Sequence, residues 1–428
     1  MDREEIRARA LALHEAHRGK LEIRSKVPLR GPEDLSLAYT PGVAEPCLEI
    51  HRDRELVYRY TNRGNLVAVV TDGSAVLGLG DIGPEAAYPV MEGKCVLFKA
   101  FAGVDAVPVC LNTQDSEEIV ETVARLEPTF GAINLEDISA PRCFFIEEQL
   151  KGRLGIPVFH DDQHGTAVVT AAAFLNALRV VDKKIDAVRV VINGAGAAGL
   201  SVAALLMEMG VEDLILCDRE GAFYRGFTGS MNPYQESMLQ RSNPNNVKGT
   251  LADALQGADV FIGVSAGGLV DADMVASMRE RAVVLAMANP VPEIYPEEAL
   301  RGGAAVVATG RSDFPNQINN VLAFPGILAG VLEVRARDVT EGMKRAAAHA
   351  IADLAAEELS PTYIIPGVFD PRVAPRVAGA VAQQAVREGM ALLDGNVDSV
   401  EENVSMRVAR VRGEVEESFP SGSLSHRQ

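Results

Sequence analysis

The chain has 428 residues, 47% of them hydrophobic and 23% charged, with a net charge of −18. That length exceeds one ordinary core, so two domains of a globular protein are expected. The acidic balance argues against nucleic acid and anionic membrane surfaces as partners, and it demands local cations or a metal wherever an anionic substrate binds.

The opening Met1-Asp2-Arg3-Glu4-Glu5 is charged, so no signal peptide is expected. No apolar run reads as a membrane span. Residues 167–181 come nearest, interrupted by Thr170, Asn176 and Arg179. The five cysteines are odd in number and lack C-x-x-C spacing, which fits a reduced, cytoplasmic setting.

In chain order, residues 1–25 read as a charged amphipathic helix ended by Pro28 and Gly31-Pro32. Short β-like runs follow at 66–71, 75–79, 107–111 and 132–135, with helical patterns at 86–101 and 116–126, which predicts a first α/β unit. A helix is expected over 166–180. Buried strands are expected over 188–192, 214–218, 258–265, 282–288 and 304–309. Together these give a doubly wound parallel sheet with helices on both faces. Residues 219–247 read as an exposed excursion, 329–393 as mostly helical with a break over 361–375, and the chain from Asn396 as a loosely held polar tail. The expected division is a substrate and catalytic domain over 1–160, a dinucleotide-binding domain over 161–395 and a C-terminal tail over 396–428.

The most informative stretch is Asn193-Gly194-Ala195-Gly196-Ala197-Ala198-Gly199, placed between the apolar run 188–192 and a helical run. Strand, G-x-G-x-x-G and helix in that order form a dinucleotide fingerprint. The glycines permit the tight turn, the approach of backbone to a pyrophosphate and close packing of helix on strand. Free N–H groups at the helix start hold the phosphates. Asp218 ends the next strand, where a carboxylate accepts from a ribose diol and repels a 2′-phosphate; this favours NAD, with NADP open because Arg219 follows.

Two acidic pairs, Glu136-Asp137 and Asp161-Asp162, each follow a strand-like run. Carboxylates gathered from two such loops repel one another unless a cation joins them, and an all-oxygen set favours Mg²⁺ or Mn²⁺. The other reading is two solvated acidic loops. His160 and His164 flank the second pair and read as supporting rather than ligating. Lys94 precedes an apolar stretch, where desolvation lowers its pKa and makes it a usable base; the alternative is a solvated surface lysine. Tyr39 taken alone reads as a packed aromatic beside a turn.

Several longer strings carry a resemblance: Tyr39-Thr40-Pro41-Gly42-Val43-Ala44-Glu45-Pro46, Val70-Thr71-Asp72-Gly73-Ser74, Met91-Glu92-Gly93-Lys94, Asn134-Leu135-Glu136-Asp137, Phe159-His160-Asp161-Asp162-Gln163-His164-Gly165, and Gly310-Arg311-Ser312-Asp313 through Asn319-Asn320. Spread in order over nearly the whole chain, they resemble the short bacterial members of the malic enzyme family. The resemblance implies oxidative decarboxylation of L-malate to pyruvate and CO₂ with NAD(P)⁺ and a divalent metal, decarboxylation of oxaloacetate, and a homodimer. It implies Lys94 as general base, Tyr39 as general acid, and Glu136, Asp137 and Asp162 as metal ligands. Asn289 and Asn320 then contact substrate and the nicotinamide side, with Asn319 beside them. Ser74-Ala75 stand where larger members carry a carboxylate-binding arginine, so another cation or backbone amides must serve. Two alternatives remain: a malolactic-type enzyme that retains its nucleotide and yields lactate, and a catalytically silent dinucleotide-binding sensor.

Overall fold

Two parallel sheets organise the chain, and in both the strand order reverses at a point that matters for function. The structure is a computed structural model describing residues 3–418 except 77, 394 and 396. The first sheet contains β1 (Leu66–Thr71), β2 (Asp105–Cys110), β3 (Ala132–Leu135) and β4 (Val158–His160), all parallel, in the order β2-β1-β3-β4. The second contains β5 (Arg189–Asn193), β6 (Asp213–Asp218), β7 (Gly221–Ala222), β8 (Val260–Gly263), β9 (Ala282–Ala286) and β10 (Ala304–Thr309), in the order β10-β9-β8-β5-β6-β7. Only β7 runs antiparallel, against β6. Apolar runs such as Leu-Val-Ala-Val-Val in β1 are buried along their whole length, as strands covered on both faces require.

The helix Thr166–Val181 joins the two sheets. It buries residues all round, from Ala167 and Val168 to Phe174 and Val181. One apolar cluster runs through it from Val67, Met91 and Phe98 of the first unit to Ile192, Leu216 and Ile351 of the second. Together with the preceding turn it makes a 21-residue helix, Asp161–Val181, long and apolar enough to cross a membrane by length and composition. However, 72% of its apolar window is buried inside the protein, so it is the core helix of this fold.

Four expectations need correction. Residues 75–79 form no strand; a single bridge joins Val76 and Gly80 across a turn in which Gly73, Gly78 and Gly80 take positive φ. The stretch 219–247 is less exposed than expected, because it supplies β7 and the helix Pro233–Leu239 and buries Phe223, Met238 and Asn243. The C-terminal stretch is not loose: the helix Val400–Ser418 buries Val400, Val404, Val408 and Val411 against the helices Val373–Arg387 and Pro84–Ala102. Its valine spacing is a helical stripe hidden among charges. Asn396 and residues 419–428 of that stretch lie outside the described residues. Finally, the N-terminal helix is shorter than expected, Arg3–His17, and nothing between residues 4 and 65 is buried.

Candidate active site

Open parallel sheets bind ligands beyond the carboxyl ends of their strands where the order reverses. In the first sheet that point lies between β1 and β3. The register pairs Val70 with Leu135 and Leu135 with His160, so Glu136 and Asp161 leave the sheet side by side. Asp137 follows with a left-handed φ of 53°, a conformation aspartate tolerates better than most residues. It turns the chain so that its N–H donates to Asp162 Oδ2 at 2.9 Å. Asp161 to Gly165 form a π turn, a form enriched at functional sites, that runs straight into the helix Thr166–Val181.

This brings ligand atoms of Glu136, Asp137 and Asp162 within 4.8 Å of one another. Glu136 and Asp137 are buried and Asp162 is partly exposed. Burial pushes the Glu136 carboxyl up, and the neighbouring Asp162, Asp161 and Asp137 push it further against the pull of Lys94. Three convergent carboxylates, one of them partly exposed, are a donor set that fits a hard divalent cation.

Lys94 sits on the helix Pro84–Ala102, between residues whose side chains enter the core. Its Nζ lies 2.6 Å from Asp161 Oδ2, 2.8 Å from Glu136 Oε1 and 4.2 Å above the centre of the Phe324 ring. Burial favours the neutral amine as expected, but the two carboxylates outweigh it and hold the ammonium above the ordinary lysine value. The sequence reading of a depressed pKa is therefore corrected. It recognised the apolar neighbours and missed that Asp161 and Glu136 arrive at the same nitrogen from other strands.

Asp161 is the main residue that sequence reasoning left without a role. Besides Lys94 it accepts from Asn320 Nδ2 at 3.2 Å, and Asn320 also reaches Thr166 Oγ1 at 3.1 Å. The signal was present in the doubled Asp161-Asp162, of which only the second was assigned. His160 is wholly buried with Nδ1 3.8 Å from Asp162 Oδ2. His164 donates from Nε2 to Glu147 at 2.7 Å and accepts at Nδ1 from Lys344 Nζ at 2.9 Å. An ammonium can only donate, so this fixes the tautomer; burial lowers the imidazole pKa to about 4 and keeps it neutral. Asn319 caps the turn Asn320–Leu322 by accepting from Val321 N at 3.0 Å.

Arg142 is a second residue the sequence reading missed. Its guanidinium reaches Asp72 Oδ2 at 2.8 Å, Ser74 Oγ at 2.9 Å and Ser139 Oγ at 3.1 Å, which places a cation, paired with Asp72, beside Ser74.

On the nucleotide side, β5 and β8 flank the reversal of the second sheet. Gly194 (φ 113°) follows β5, and a Cβ there would lie 2.6 Å from the Val264 carbonyl. A Cβ on Gly199 would lie 1.7 Å from the Gly194 carbonyl, so helix and turn close only with glycine at both positions. Gly196 is the N-cap of the helix Ala197–Glu208, with Ala195 before it and Ala197 and Ala198 in its first turn. Asp218 closes β6 and accepts from the Arg219 N–H. The fully buried Glu293 accepts from Ser265 N and Ala288 N, both at 3.0 Å, and so ties the loop after β8 to the loop carrying Asn289.

Tyr39 stands apart. It ends the helix Pro32–Ala38 with 66% of its surface exposed. Among the described residues no hydrogen bond or ion pair joins Tyr39 or Asn289 to the Lys94 cluster.

Residues 18–151 match the malic enzyme N-terminal domain and residues 163–386 the malic enzyme NAD-binding domain. The chain is 57% identical to a bifunctional malic/malolactic enzyme of Bacillus subtilis, over 93% of this chain and 97% of that protein. It is 56% identical to an NAD-dependent malic enzyme of Geobacillus stearothermophilus, over 88% and 78%. Among solved structures it resembles a malic enzyme from Pyrococcus horikoshii with a TM-score of 0.91 at 46% identity, covering 97% of this chain and 98% of that one. With both domains matched and such relatives spanning nearly its whole length, the protein belongs to the malic enzyme family.

Proposed function

We propose that this chain oxidatively decarboxylates L-malate to pyruvate and CO₂ with reduction of NAD⁺, and that Glu136, Asp137 and Asp162 hold the divalent cation it needs. The single observation that carries this reading is a buried lysine bonded to two carboxylates beside a three-carboxylate site, at the strand ends that face ligands. When bound, the cation supplies Lewis acidity to the C2 oxygen of the substrate and the nicotinamide supplies a hydride acceptor.

The chain's own groups then handle protons. Burial raises the carboxyl of Asp161, which suits it to take the Lys94 proton through its contact of 2.6 Å, while Glu136 is committed to the cation. The freed amine accepts the C2 hydroxyl proton of malate. Asn320 keeps Asp161 aimed at Lys94. Arg142 fixes the Ser74 turn at the distal end of the site. Tyr39 donates the proton that C3 gains once CO₂ has left.

The Asp218 carboxylate supports NAD over NADP. The apolar side chains of the N-terminal arm support a homodimer in which a second copy covers them: Ile23 is 100% exposed, Leu37 72% and Leu29 67%. All five cysteines are free thiols, which supports a cytoplasmic setting.

The test is absorbance at 340 nm with malate and NAD⁺ or NADP⁺, with and without Mn²⁺. Malate- and Mn²⁺-dependent NADH release is expected; its absence in every combination overturns the reading. The Bacillus subtilis relative, whose name includes malolactic activity, favours one second reading: lactate formed from malate without net NADH. Assaying lactate in the same mixture separates the two.

A further inference from the structure

Behind the turn that carries Asp161 and Asp162 lies a cleft of about 220 Å³ that the proposed reaction does not use. Residues of the helices Ala197–Glu208, Pro233–Leu239 and Glu341–Leu354 line it, and neither Lys94, the three metal-site carboxylates, Asp218 nor the glycine turn does. Its polar lining is rich in donors. Gln163 is 2% exposed, its Oε1 accepts from Ser201 Oγ at 3.5 Å, and its buried Nε2 has no hydrogen-bond partner. An unmade bond on a buried amide is costly, which points to an acceptor inside the cleft. Lys344, 1% exposed, directs two of its three N–H groups to His164 Nδ1 and Glu341 Oε1. The Arg241 guanidinium has no hydrogen bond or ion pair among the described residues. Glu341 is the one carboxylate on the lining, and Lys344 already pairs with it at 2.6 Å. The remaining wall is mostly apolar and includes Phe144, Leu205 and Met238, with Ser237 and Tyr234 among them.

We propose that this cleft binds a small amphipathic carboxylate, its acid group on Gln163 and Arg241 and a short hydrocarbon tail against Phe144, Leu205 and Met238. The donors require an acceptor-rich head, a guanidinium fork matches a carboxylate, and the apolar part of the wall favours a tail. Gln163 directly follows Asp162, and Lys344 holds His164 in the same turn. An occupant therefore orders the turn that presents the metal-site carboxylates, and by linkage it tightens binding of the cation there.

The test is calorimetric titration of the metal-free protein with unbranched monocarboxylates from acetate to octanoate. Saturable binding is expected, with affinity rising about fourfold per added methylene until the cleft is full. Arg241→Ala should weaken it tenfold or more, and Ser237→Phe, which fills the cleft, should abolish it, both with wild-type malate turnover. The favoured acid should also lower the Mn²⁺ half-saturation concentration of the wild type but not of Arg241→Ala. Absence of saturable binding, or equal affinity in wild type and both variants, overturns the site; an unmoved Mn²⁺ half-saturation in the wild type overturns the coupling.

Discussion

The Lys94 cluster and the N-terminal arm are assigned to the same reaction but are built in opposite ways. Lys94 is 11% exposed along its side chain and touches Asp161, Glu136 and Phe324. Tyr39, the assigned proton donor, is 66% exposed on an arm in which no residue from 4 to 65 is buried. The groups proposed as base and metal ligands thus converge within one chain, held by strands β3 and β4 and two core helices. The proposed acid half is carried on an exposed surface. Burial brings the charged groups of the first region into contact, whereas in the second the side chains face outward.

The largest expected effect breaks the buried region. Lys94→Ala should lower kcat/KM for malate by about 10³-fold or more, the upper range of lost acid–base catalysis, while calorimetry shows nucleotide binding intact. It also strands two buried carboxylates, so the metal-free variant should lose about 3–5 kcal/mol in denaturant unfolding. A near-normal rate would remove Lys94 from the mechanism. Next, Asp162→Ala should weaken Mn²⁺ binding by about 10²-fold in calorimetry, as loss of one of three ligands requires; unchanged affinity would discard the ligand set.

On the arm, Tyr39→Phe should reduce kcat by about 10²-fold but leave unfolding stability within about 0.5 kcal/mol, because an exposed side chain is removed from no core. If stability drops as it does for Lys94→Ala, the contrast between the two regions fails. A smaller effect lies behind the metal turn. Burial alone would raise Glu147, but His164 and Lys151 hold its carboxyl well below the ordinary value of 4.5. Its folded-state pKa is depressed, so its stabilisation is complete above pH 4.5 and is lost as pH falls below that. Glu147→Gln should be less stable at neutral pH yet show a shallower acid limb below pH 4.5 in melts. An unchanged acid limb would show that this buried network does not respond to pH as described.

Much of the architecture was legible because its signals are local. The runs 66–71, 116–126, 132–135 and 304–309 became the elements Leu66–Thr71, Ser116–Leu126, Ala132–Leu135 and Ala304–Thr309. Each is short, apolar or amphipathic, and bounded by turn residues, so propensity and burial agree. The glycine turn was legible for the same reason, since its positive φ is written into Gly194 and its close approaches into Gly194 and Gly199. Failures came where a local pattern had a distant partner. The charged stretch beyond Asn396 looked free because its valine stripe at 400, 404, 408 and 411 has meaning only once other helices are placed beneath it.

By itself, then, the sequence determined two α/β units and a dinucleotide turn, consequences of spacing along the chain, and it offered a short roster of candidate oxygen ligands. Only the tertiary structure decided that Lys94 is held charged, that Asp161 accepts from it and that Arg142 stands at Ser74. It also decided that Tyr39 lies exposed on the N-terminal arm. The reason is physical: a pKa and a proton path depend on which groups approach within about 3 Å, and those distances come from the register of strands far apart in sequence.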